Sequence, residues 1–247
     1  MKIWLIRHGT TRPGEEQRYQ GRLDEGLSER GRKALLRADL AYPCVFGDCP
    51  RVPGACSSVF GAGEAAAAAG GGTDGMTAPG SRAGRMPAYV YVSPARRARQ
   101  TAEILFPQAD QIIIPGLREM DFGVFEGRSW REMLEDADYR RWVDGGCEGQ
   151  CPGGEDRASF TARICSAFDG ILAGETETGR KPGCAGEDLP VIIVAHGGTQ
   201  MALLAERGSP AGDYFSRQTP CGCGWLLEPE AGTGLLKVLK EVSFLRP

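Results

Sequence analysis

No run of apolar residues in this sequence approaches the ~20 needed to cross a bilayer as a helix. Charge of one sign is not in excess either: the formal net charge is −3, without the basic bias of a nucleic-acid-binding surface. The apolar stretch after Lys2 is too short for the core of a secretory signal, and Arg7 interrupts it. These absences point to a cytoplasmic protein that engages neither membrane nor nucleic acid. Nine cysteines are present, but not the paired C-x-x-C spacing or the nearby histidines that a zinc site needs. Reduced thiols are the default for a cytosolic chain. Histidine is scarcer still, with only two in 247 residues.

Both histidines occur in one context. The first ends Ile3-Trp4-Leu5-Ile6-Arg7-His8-Gly9-Thr10, and the second ends Val191-Ile192-Ile193-Val194-Ala195-His196-Gly197-Gly198-Thr199. Each time, an apolar run of strand length stops at a histidine followed by glycine. Strands that are apolar on both faces belong in the centre of a parallel sheet. A lone histidine at a strand end is more often structural than catalytic. Two in the same setting, being the only two in the chain, point to a shared site.

Hydrophobic periodicity fills in the architecture. Lys2–Ile6 is expected as a strand, followed by a polar loop over Gly9–Leu27. Ser28 is a candidate N-cap for a helix to about Leu40. Residues 43–87 are rich in Gly, Ala and Pro and lack periodicity, as in a poorly ordered insertion. Tyr89–Val92 reads as a strand, and Ser93-Pro94 as the N-cap and first turn of a helix ending near Phe106. Ile112–Ile114 is a further strand, and Leu117–Gly127 a loop. Ser129 with Glu132 forms a capping box for a helix reaching Val143. Asp156–Leu172 has a helical apolar face, Gly174–Asp188 is a polar loop, Val191–Ala195 is a strand, and Thr199–Arg207 is a helix stopped at Gly208. Leu226–Glu228 and Leu235–Val242 suggest a closing hairpin. Strands alternating with helices predict an α/β three-layer sandwich: a mainly parallel sheet with helices on both faces, in a single domain over 1–247 interrupted by the insertion.

Ligands of such sheets bind beyond the carboxyl ends of the strands. Three strand ends carry reactive groups: Arg7 and His8, the Ser93–Arg97 segment, and His196. Gly9 and Gly197 let the backbone turn sharply and approach a ligand. The helix after Gly198 offers free N–H groups. Two arginines, two histidines and a helix N-terminus suit a phosphoryl dianion. A neutral imidazole is a competent nucleophile toward phosphorus, and the neighbouring arginines disfavour its protonated form. Arg7, Arg97 and His196 are suited to hold the oxygens of the group in transfer. The leaving alcohol needs a proton, for which Glu119 is the first candidate and Asp121 the second. The scheme calls for no metal and no cofactor, only a small phosphomonoester substrate. The chain is rich in arginine, so Arg97 with Arg96 and Arg99 also fits a solvated helix face.

Taken in order, these segments resemble the histidine phosphatase superfamily, also called phosphoglycerate mutase-like. Arg7-His8-Gly9-Thr10-Thr11 is similar to its signature, and Gln20-Gly21 to Asp24 with Leu27-Ser28-Glu29-Arg30-Gly31 to the segment that follows. Ser93-Pro94 with Arg97 and Gln100-Thr101-Ala102 is similar to its second-arginine motif, and Glu119–Gly123 with Glu126-Gly127 to its proton-donor loop. Pro152-Gly153-Gly154-Glu155 and Ala195-His196-Gly197-Gly198 complete the series. The resemblance implies a phosphohistidine on His8 that water later hydrolyses. It implies a phosphate pocket of Arg7, Arg97 and His196, with Thr10, Gln20, Gly21 and Gly197 beside the substrate, and Glu119 as acid and then base. The chain departs from the pattern after Thr10, where Arg12-Pro13-Gly14 replaces the usual residues. Within the family it most resembles alpha-ribazole phosphatases, which remove a 5′-phosphate late in cobalamin synthesis. A broad-specificity phosphatase, a phosphoglycerate mutase and a non-catalytic phosphate-binding module are the alternatives. Monomer and dimer both remain open.

Overall fold

The computed structural model describes residues 1–37, 87–174 and 190–245. All of them fall within one compact unit, Met1–Asp39 with Met86–Pro247. The expected insertion at 43–87, apart from Pro87, and nearly all of the expected loop Gly174–Asp188 lie outside the described residues.

Two aliphatic runs make the centre of the sheet. β1 (Ile3–Arg7) and β4 (Val191–Ala195) are parallel neighbours in continuous register, Ile3 opposite Val191 and Arg7 opposite Ala195. β2 (Tyr89–Val92) lies on the far side of β4, and β3 (Asp110–Ile113) pairs with β2, both parallel. On the other side of β1 come β6 (Cys223–Pro229), β7 (Leu236–Ser243) and the two-residue β5 (Gly208–Ser209). The order of the seven-stranded sheet is β3-β2-β4-β1-β6-β7-β5. β6 is antiparallel to both β1 and β7, while β5 is parallel to β7. The sheet is thus mainly parallel, with the expected closing hairpin formed by β6 and β7.

Alternation along the strands divides the core into two layers. Ile3, Leu5, Tyr91, Ile193 and Ala195 join one cluster with Phe160, Ile164, Phe168 and Ile171 of α5 (Arg157–Ala173) and Leu203 and Leu204 of α6 (Gly197–Arg207). The intervening Trp4, Ile6, Val90, Val92, Ile192 and Val194 are buried on the opposite face. There α2 (Glu29–Arg37) and α3 (Arg96–Leu105) supply Leu35, Ala98, Ala102 and Leu105. Each fully buried aliphatic side chain contributes about 1.5–3 kcal/mol, so β1 and β4 are fixed by their composition. This is the three-layer α/β arrangement that the alternation of elements predicts.

Several local expectations need correction. The loop after β1 contains a helical turn, α1 (Arg12–Glu15), because Thr11 accepts a hydrogen bond from Gly14 N–H and Pro13 suits a first turn. Ser93 does not cap the following helix. α3 starts at Arg96 with Ala95 as its cap residue and no side-chain cap, and Asp24 Oδ1 accepts the Arg96 N–H from across the molecule at 2.6 Å. The capping box at Ser129 and Glu132 forms, but it opens only a 3₁₀ turn, Trp130–Met133. Asp136 then starts afresh by accepting the N–H groups of Asp138 and Tyr139, so the helix α4 is Ala137–Asp144. An aspartate bonded to nearby backbone competes with helix continuation. β3 ends one residue short of Ile114, and α6 begins at Gly197, two residues before the expected start. Gly208 follows α6 in extended rather than left-handed conformation.

Candidate active site

Register brings three strand ends together. His8 N–H donates to Ala195 O at 3.0 Å, and Ser93 N–H donates to Val194 O at 3.0 Å. His8, His196 and Ser93 therefore leave the sheet side by side from β1, β4 and β2. The two imidazoles meet edge to face, with centroids 5.2 Å apart and ring planes inclined by 67°.

A backbone carbonyl assigns the proton on the His8 ring. His8 Nδ1 lies 2.7 Å from Gly9 O. A carbonyl only accepts, so Nδ1 carries the proton and Nε2 keeps its lone pair. Burial, then the charges of Arg97 and Arg7, lower the His8 pKa well below 6.5, outweighing the bond to Gly9. The ring is neutral at pH 7. His196 differs. Its Nε2 is 2.7 Å from Ser93 Oγ, and Ser93 Oγ already accepts the Ala95 N–H at 3.3 Å. Ser93 Oγ keeps both a proton and a second lone pair, so it can pair with Nε2 in either tautomer; with the serine donating, the ring proton sits on Nδ1, which has no protein partner. Burial and then Arg97 lower this histidine as well. In that tautomer one ring presents a lone pair and the other presents a donor.

Arg97 is completely buried. Its Nη1 donates to Leu23 O at 2.8 Å, and Nη2 donates to Gln20 O and Gly21 O, both at 3.1 Å. Burial lowers its pKa, while Glu119, Asp24 and Glu126 act the other way; a guanidinium stays charged regardless. The alternative of Arg97 on a solvated helix face is therefore wrong: it lies on the buried side of α3 with Ala98, Thr101 and Ala102. Arg7 Nη1 donates to Thr219 O at 2.6 Å. Its guanidinium lies against Gly197, where a side-chain Cβ would come within 3.2 Å of Arg7 Cζ. Arg7 Nε, Arg97 Nε, His196 Nδ1 and Gln20 Nε2 are all buried donors without a protein partner. Each such donor costs about 1–3 kcal/mol. Two of them belong to Arg7 and Arg97, whose charges act on His8, and such donors suit an oxyanion.

Glu119 reaches the same place from the loop after β3. Its Oε1 accepts Met120 N–H at 3.0 Å, and Oε2 accepts Gly198 N–H at 3.1 Å. Burial raises its pKa above the ordinary carboxyl value, against the two N–H groups and the charges of Arg97 and Arg7. Asp121 is committed elsewhere. It accepts Gly123 N–H at 3.0 Å and pairs with Arg22 at 3.1 Å. Of the two candidate donors, Glu119 is the one bonded to the helix that begins beside His196.

The remaining expected residues divide in two. Gln20 Oε1 accepts from Thr11 Oγ1 at 2.7 Å, and its amide nitrogen is buried without a protein partner. Gly21 has a packing role: a Cβ there would overlap Met120 O, and its N–H donates to Glu126. Thr10 is half-buried, and its carbonyl accepts Ser28 N–H at 2.9 Å. Four residues have roles that sequence reasoning did not assign: Ser93, Glu126, Thr101 and Arg163. Glu126 accepts the N–H groups of Gly21, Arg22, Leu23 and Phe122. Thr101 Oγ1 takes Gly9 N–H at 2.9 Å and donates to Arg97 O. Apart from near neighbours such as Arg97 and Phe122, each four residues away, their partners are distant in sequence, so no spacing signal marks these roles. Among the described residues, no group of three or more His, Cys, Asp or Glu is placed to hold a metal ion.

The family model of the histidine phosphatase superfamily (branch 1) matches residues 3–42 and 77–240. The chain belongs to the histidine phosphatase superfamily. It is an enzyme of that superfamily, and both matched segments contain site residues. Its curated relatives include the probable phosphoglycerate mutase GpmB of Cronobacter sakazakii, 24% identical over 201 residues that cover 80% of this chain and 70% of the relative. The protein of the same name from Salmonella newport is 25% identical over the same spans. Among solved structures, the fold is similar to the alpha-ribazole phosphatase of Shigella flexneri, with a TM-score of 0.66 and 19% identity, covering 99% of this chain and 98% of that one. It is also similar to the phosphoglycerate mutase of Thermus thermophilus, with a TM-score of 0.59 and 21% identity, covering 98% and 99%. Among the described residues, no helix is long and apolar enough to cross a membrane.

Proposed function

We propose that this histidine phosphatase hydrolyses phosphomonoesters through a phosphohistidine on His8. The observation that carries the reading is His8 Nδ1 held 2.7 Å from Gly9 O, so that Nε2 keeps its lone pair, while burial and the charges of Arg97 and Arg7 disfavour the protonated ring. Nε2 attacks phosphorus and the ester P–O bond breaks. The departing alkoxide takes the proton of Glu119, whose carboxyl is raised by burial. Arg7, Arg97 and the Nδ1–H of His196 hold the phosphoryl oxygens during transfer. Water then attacks the phosphohistidine, Glu119 takes its proton, and phosphate leaves with His8 restored.

For substrate, the motif series favours alpha-ribazole 5′-phosphate, with a broader set of small phosphomonoesters next. The curated relatives' names keep a mutase reaction on 3-phosphoglycerate as the competing activity. Brief exposure to a ³²P-labelled phosphomonoester is expected to leave label that is acid-labile and alkali-stable, and that is absent from His8→Ala. Full turnover by His8→Ala sinks the reading. A panel of alpha-ribazole 5′-phosphate, 3-phosphoglycerate and sugar phosphates then ranks the leaving alcohols. Phosphate binding without turnover on every member would favour a binding module.

A further inference from the structure

Glu119 sits on a segment that satisfies few of its own backbone groups. The 3₁₀ turn Pro115–Leu117 ends just before it, and the next, Gly123–Phe125, begins four residues after it. Backbone carbonyls outside helix and strand need other donors. Arg163, on the second turn of α5, supplies them. Its Nη1 donates to Gly116 O and Arg118 O, both at 2.9 Å, and Nη2 donates to Glu119 O at 3.3 Å. The same guanidinium grips Glu155 in a two-pronged ion pair, Nε to Oε1 at 2.9 Å and Nη2 to Oε2 at 2.7 Å. Glu155 in turn accepts Asp121 N–H at 3.0 Å and donates its own N–H to Asp121 O at 2.9 Å. Backbone groups of residues 116, 118, 119 and 121 are thus tied to one planar fork anchored on a core helix.

We propose that Arg163, aligned by Glu155, is a positioning residue that sets the Glu119 carboxyl against the departing oxygen. The inference rests on Glu119 being the proton donor. Arg163 does not touch the carboxyl; it acts through the main chain that carries it. The fork geometry matters. A lysine in its place keeps one charge but cannot meet three carbonyls and both carboxylate oxygens from a single plane.

A positioning role is separated from a structural one by the leaving group. p-Nitrophenoxide leaves without a proton, whereas an alkoxide needs one. Arg163→Lys and Glu155→Gln are compared with Glu119→Gln and with the double variant Glu119→Gln/Arg163→Lys. Phosphoenzyme formation is followed by rapid quench on ribose 5-phosphate and on p-nitrophenyl phosphate. Melting temperature and the affinity for inorganic phosphate monitor fold and pocket. Arg163→Lys and Glu155→Gln are each expected to slow formation from ribose 5-phosphate by about 10- to 100-fold. Formation from p-nitrophenyl phosphate and phosphate affinity are expected to stay within about threefold, and the double variant is expected to match Glu119→Gln. Equal losses on both substrates, or a double variant slower than Glu119→Gln by the full Arg163→Lys factor, overturn the proposal. No phosphoenzyme in the unaltered protein overturns the parent reading, and this one with it. Should Arg163→Lys not fold, the isosteric Glu155→Gln decides alone by the same ratio of substrates.

Discussion

With the Ser93 hydroxyl donating to His196, the two histidines carry their ring proton on the same nitrogen, yet they are set for opposite tasks. His8 spends its proton on a backbone carbonyl and exposes a lone pair. His196 fills its Nε2 with the Ser93 hydroxyl and exposes a proton. Ser93 is therefore the residue whose hydroxyl proton would set His196 as a donor. Ser93→Ala leaves a buried ring nitrogen without its partner, a loss of about 1–3 kcal/mol. Expressed in the transition state, this lowers kcat/KM by between about 5- and 150-fold, while label on His8 still forms. Unchanged steady-state kinetics would show that His196 is oriented without Ser93.

At the scale of elements, the N-terminus of α6 serves the candidate proton donor. Its Gly198 N–H is given to Glu119, and a Cβ at that position would overlap the Glu119 carboxylate. Gly198→Ala is expected to cut turnover of an alkyl phosphate by about 100-fold, the scale of a lost general acid. Alanine is the better helix former, so stability should change by under about 1 kcal/mol. Steady-state assays and thermal melts on one preparation check whether the two quantities separate in this way. The strand ends that build the site were legible in the sequence because their signals are local: aliphatic runs stopped by His-Gly, and Ser-Pro before an arginine. The same locality misled at Ser93. A serine ahead of a helix looks like a cap, and only the neighbouring β4 shows that its hydroxyl goes to His196. Arg163 and Glu126 act on backbone groups more than forty and about one hundred residues away, a distance that no local pattern encodes. The break at Asp136 was missed because a capping box marks where a helix starts, not how far it runs.

The whole molecule is affected by holding two imidazoles neutral in its interior. The unfolded chain binds a proton on each histidine near pH 6.5, and the folded chain resists until well below that value. Between those pH values the unfolded state carries more protons, so stability rises with pH there. The contribution is complete above about pH 6.5 and is lost as pH falls below it, at up to about 1.4 kcal/mol per pH unit for each histidine. Melting temperatures taken across acidic pH should therefore decline, and His8→Gln should decline less steeply than the unaltered protein. A parallel decline in both would place the proton uptake elsewhere. The sheet order has another consequence, concerning how the chain reaches this state. β4 lies between β1 and β2, yet it is synthesised last of the three, about 100 residues after β2. During translation β1 has no strand partner until β4 is made, and β2 has only β3, so each keeps an unpaired edge facing the gap that β4 fills. Such long-range parallel pairing closes slowly and leaves intermediates prone to aggregation. Inserting β4 joins the two parts of the sheet and brings the two histidines together in a single step, so the nascent chain acquires its chemistry only when those parts meet.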